Sequence, residues 1–75
     1  MTPQELANIL SQMYHNAPDN EITTAVHLFG IRYADEIHQC GVPVTQLVGL
    51  SSIPASYEVE VSKGVRLARY VVERR

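Results

Sequence analysis

The chain has 75 residues, 45% of them hydrophobic and 19% charged, the composition of one small folded domain with a single core and not of a disordered segment. Its formal net charge of −2 argues against a protein that coats nucleic acid by bulk electrostatics. A lone Cys40 excludes an intrachain disulfide, no apolar run approaches the ~20 residues of a membrane span, and the first residues lack the basic start and apolar run of a signal peptide, so a cytoplasmic location is expected.

Thr2-Pro3-Gln4-Glu5 reads as a helix start, with Thr2 as cap, Pro3 at the first helical position and Glu5 completing a capping box. Leu6, Ile9, Leu10, Met13, Tyr14 and Ala17 then recur on one helical face, which predicts a first helix running to about Asn16. Ala17-Pro18-Asp19-Asn20 breaks it, and Asp19 or Asn20 is expected to cap the next helix. That second helix is predicted from Glu21 to Gln39, with Ile22, Val26, Phe29, Tyr33 and Ile37 on one stripe and Gly41 as its left-handed terminator. Leu28 and Ile31 fall outside the stripe, as in a helix that is central or meets a partner.

Val42-Pro43-Val44 leads into a short helix of about Thr45 to Leu50, and Ser51-Ser52-Ile53-Pro54 forms a turn. The last helix is predicted from about Ala55 to Glu73. Tyr57, Val61, Gly64, Val65, Ala68, Val71 and Val72 share its core face, and Val59, Ser62, Lys63, Arg66, Arg69 and Glu73 lie opposite. Residues 57–61 also alternate as a strand would, but the helical pattern continues well past them. The expected fold is all-α, a four- to five-helix bundle in which about Ala34 to Tyr70 forms a helix-turn-helix-like unit. Gly64, inside a helix and on its apolar face, marks a close helix crossing, because an interior glycine otherwise costs about 1 kcal/mol.

Charge is unevenly spread. Residues 1–39 carry Glu5, Asp19, Glu21, Asp35 and Glu36 against Arg32, whereas residues 40–75 carry Lys63, Arg66, Arg69, Arg74 and Arg75 against Glu58, Glu60 and Glu73. A short helix, a turn and a longer helix with a cationic outer face is the arrangement that reads duplex DNA. It places Ser56, Glu60 and Lys63 near base edges and Arg66 and Arg69 near phosphates, with Tyr70 available for stacking. The competing readings are a solvated bundle face, or a protein-interaction module or structural homodimer docking through Leu28 and Ile31.

Gly41-Val42-Pro43-Val44, Gly49-Leu50-Ser51, Ser56-Tyr57, the run from Glu60 to Val71, and His27 to Ala34 upstream resemble the small bacterial helix-turn-helix-like domains. The resemblance covers most of the chain and implies DNA binding. Two features depart from the shortest such motif: the turn Ser51 to Pro54 is longer than three residues, and Thr45 stands where a small alanine-like residue often packs.

No cofactor, metal site or enzyme activity is expected. His27 and His38 are separated by about three helical turns, too far to share an ion, and His38 with Cys40 lacks further ligands. Adjacent Asp35 and Glu36 point about 100° apart on a helix, and the Asp35/His38 spacing is that of ordinary surface electrostatics. The expected partner is duplex DNA, bound by a homodimer that covers Leu28 and Ile31.

Overall fold

The capping box forms as its residues dictate. Thr2 Oγ1 accepts the Glu5 N–H at 3.1 Å while the Thr2 N–H donates to Glu5 Oε1 at 2.8 Å, starting helix α1, Pro3–Asn16. The computed structural model describes residues 1–74, and among them the elements are α1, a 3₁₀ turn at Asp19–Glu21, α2 (Ile22–Arg32), α3 (Ala34–Cys40), α4 (Val44–Ser51) and α5 (Tyr57–Leu67), with no strand. The fold is therefore all-α with five helices among the described residues.

Leu6 and Leu10 of α1, Val26 and Phe29 of α2, Ile37 of α3, Leu47 and Val48 of α4, Ile53 of the following turn and Val61 of α5 make one buried cluster. Each helix contributes the apolar positions that recur at its own period, and their burial is the main term holding five short helices together. The helices α2 and α5 pack most extensively, α1 lies across α4 and α2, and α4 rests on α5.

Several features differ from the sequence expectation. The predicted single helix from Glu21 to Gln39 is two helices, broken at Tyr33, whose backbone (φ −112°, ψ 19°) leaves the helical region. The Tyr33 N–H still donates to the Phe29 carbonyl and the Tyr33 carbonyl accepts from Ile37, so the chain bends without losing these bonds. The bend returns Ala34 and Ile37 to the core. Neither Asp19 nor Asn20 caps α2, because residues 19–21 form the 3₁₀ turn and α2 starts without a side-chain cap. The last helix stops at Leu67 and not near Glu73; Val71 is exposed and Val72 is 89% exposed, so both leave the core face expected of them.

Gly41 terminates α3 with φ 77°, the left-handed conformation that glycine adopts at no steric cost. The turn after α4 uses a second left-handed residue, Ser52 (φ 61°), as its cap. Ser51 belongs to α4 and is buried, its Oγ donating to the Val48 carbonyl at 2.7 Å. The turn is thereby anchored by a satisfied hydroxyl and by buried Ile53.

Candidate nucleic-acid interface

Helix α5 is held against α2 by its inner face, with Val61 and Gly64 buried, which leaves the opposite face to solvent. Ser56, Val59, Lys63 and Arg66 are all exposed there. Their spacing, three, four and three residues, makes one continuous stripe along a helix. Ser56 occupies the position before α5 and makes no capping hydrogen bond with its side chain. Val59, which the sequence places on this side but not among the contact residues, is 56% exposed in the middle of the stripe. Helical periodicity alone cannot single it out, because an isolated surface valine is ordinary.

Glu60 is not free on this face. His27 Nε2 lies 2.6 Å from Glu60 Oε1, and Lys63 Nζ lies 3.7 Å from the same oxygen. The hydrogen bond with His27, and then the charge of Lys63, hold the Glu60 carboxyl below its ordinary range. The pairing ties α5 to α2 and keeps the Glu60 carboxylate ionised beside Lys63. Nothing in the spacing of the two residues along the chain signals it.

Arg69 and Tyr70 lie beyond the end of α5, in the turn formed as Arg69, Tyr70 and Val71 donate back to the Arg66 and Leu67 carbonyls. Both are exposed, and the Arg69 guanidinium carbon sits 6.0 Å from the Tyr70 ring centroid, within cation–π range. The expected continuous row of Lys63, Arg66 and Arg69 is thus two helical cations followed by one on a turn. Glu73, expected on the same outer face, reaches instead to α2, where Arg32 Nε donates to its Oε1 at 2.7 Å and a second guanidinium nitrogen donates to its Oε2. This two-pronged pair pushes the Arg32 pKa up and ties the segment after α5 to the end of α2.

The cationic stripe flanks a mainly apolar hollow of about 290 Å³, lined by His27, Lys63, Arg66, Leu67 and Tyr70. A second surface hollow separates α4 from α5, with Thr45, Val59 and Arg66 in its walls. Leu28 and Ile31 are half-buried and sit in different places: Leu28 beside Met13, Ala17 and Pro18, and Ile31 beside Ala68, Val71 and Val72. No group of three or more His, Cys, Asp or Glu side chains among the described residues is arranged to hold a metal ion, and Cys40 is half-buried with its thiol on the Ile37 carbonyl. No helix among the described residues is long and apolar enough to cross a membrane.

No curated protein and no solved structure matches the chain. A family model described as an HTH-like domain matches residues 2–74, a span that includes all five helices and every residue of the stripe. That match spans nearly the whole of an all-helical chain, and the chain belongs to the HTH-like domain family.

Proposed function

We propose that this domain binds duplex DNA as a regulatory or targeting module, through the outer face of α5. The observation that carries the reading is the exposed stripe of Ser56, Val59, Lys63 and Arg66 on the helix that follows the α4 turn, in a chain of the HTH-like family. Arg66 and Arg69 supply phosphate contacts at and beyond the C-terminal end of α5, where positive charge is concentrated. Ser56, just before α5, and Lys63, past its midpoint, face base edges, and Val59 between them offers an apolar surface to a thymine methyl. Glu60 acts from within: by taking up His27 and Lys63 it fixes the orientation of α5 on α2. This is a binding role, with no catalytic step assigned to it.

The direct test is a titration of random and selected duplexes between about 50 and 200 mM salt. Phosphate contacts release counterions, so affinity that falls steeply over this range supports the reading. Absence of binding at the low-salt end overturns it and favours the protein-interaction reading, in which Leu28 and Ile31 dock a partner. A homodimer, covering these two residues and pairing two α5 helices across a twofold axis, fits the half-site logic of helix-turn-helix binders.

A further inference from the structure

The hollow beside the stripe differs in chemistry from a phosphate-binding surface. Its lining is mostly apolar, from Leu67, the Tyr70 ring and the aliphatic stems of Lys63 and Arg66, yet the ends of those stems are cationic. His27 closes the inner wall and is held there by Glu60 at 2.6 Å. Tyr70 is 80% exposed, so its ring stands clear of the core. A flat apolar body with an anionic flank complements this combination. A paired base in a duplex cannot enter, because its faces are covered by stacking.

We propose that the hollow receives one unpaired nucleobase, from a bulge, an overhang or a base displaced from the stack, with the base against Tyr70 and Leu67 and its flanking phosphates on Lys63 and Arg66. The inference rests on the DNA-binding reading of the same helix and extends it to DNA form. Every base has a π-face, so the site selects unpaired structure and not sequence. The Arg69 guanidinium near the Tyr70 ring adds positive charge beside the entering nucleotide.

The test uses the full chain and three fluorescently labelled DNA probes of common sequence: a blunt duplex, the duplex with one bulged base, and the duplex with a single-stranded overhang. The bulged and overhanging probes should bind about 10-fold more tightly than the blunt one, the size expected of one base–aromatic stack. Tyr70→Ala should erase that preference with helical circular dichroism unchanged, and Tyr70→Phe should retain it. Equal binding of all three probes, or a preference that survives Tyr70→Ala, overturns this inference and leaves duplex binding standing. Preference for the unpaired probes without measurable blunt-duplex affinity upholds the hollow and overturns the duplex reading. Failure to bind any probe overturns both, as does Tyr70-dependent binding of an acidic aromatic peptide that no DNA probe displaces.

Discussion

Gly30 and Gly64 meet where α2 crosses α5: a Cβ placed on Gly64 would lie 3.0 Å from the Gly30 Cα and run into the His27 carbonyl, and one placed on Gly30 would lie 2.6 Å from the Val61 carbonyl oxygen. Each helix presents backbone, not side chain, to the other. A clash with backbone cannot be relieved by a change of rotamer, so the helices must separate to admit even a methyl group.

Gly30→Ala and Gly64→Ala should therefore each destabilise the fold by about 1–3 kcal/mol, although alanine is the better helix former. Gly49, in α4, has no atom beyond its own stretch of helix within 4 Å of the position its Cβ would take. Gly49→Ala should stabilise by about 0.5–1 kcal/mol, since only the entropy of the unfolded chain and the helix propensity change. Urea unfolding of the three variants gives opposite shifts in midpoint; a stabilised Gly64→Ala protein would show that the two helices do not approach this closely.

The pairing of Glu60 with His27 predicts a specific acid response. Because the folded state holds the Glu60 pKa below its ordinary value of 4.5, its contribution to stability is fully present above that value. The contribution is lost as pH falls through the depressed folded value. The difference in melting temperature between the natural protein and Glu60→Gln should be constant near neutrality and shrink below about pH 4.5. A difference that stays constant through the acid limb would mean that the carboxylate gains nothing from His27.

On the outer face, charge and sequence reading separate. Replacing Arg66 and Arg69 together with Glu should weaken binding to every duplex and flatten its salt dependence, because phosphate contacts position without specifying. Lys63→Ala and Ser56→Ala should instead alter the preferred sequence, with roughly 1–3 kcal/mol of discrimination lost where a base contact is removed. Unchanged affinity and salt slope in the double charge reversal would return the stripe to a solvated face.

Leu28 and Ile31 bear on assembly. Sedimentation should show a dimer at high micromolar concentration, and Leu28→Glu should dissociate it with helicity intact, because the side chain is only half-buried. A monomer at that concentration removes the homodimer. Loss of helicity in Leu28→Glu assigns Leu28 to the core.

What the sequence by itself determined is what local chemistry encodes. Thr2 and Glu5 close a capping box within four residues, Gly41 supplies the left-handed residue after α3, and the 3.6-residue recurrence of Leu6, Leu10, Val26, Phe29 and Val61 places them in the core. Gly64 was also legible, since an interior glycine on an apolar face has few reasons to be there other than a close crossing. The outward position of Ser56, Lys63 and Arg66 follows from the same periodicity.

Only the tertiary structure decided which residues from distant segments meet. Gly30 as the partner of Gly64, His27 on Glu60, and Arg32 on Glu73 are contacts between segments whose relative placement no local pattern specifies. The same packing sets the break in the second helix and the end of the last one. Without a proline or glycine at position 33 to signal it, the chain bends at Tyr33 so that Ala34 and Ile37 return to the core. It leaves α5 after Leu67 so that Glu73 can reach Arg32, although the apolar residues Val71 and Val72 would extend the helical pattern. A helix of this length is only marginally stable on its own, so its end is set by the contacts on either side of it and not by propensity.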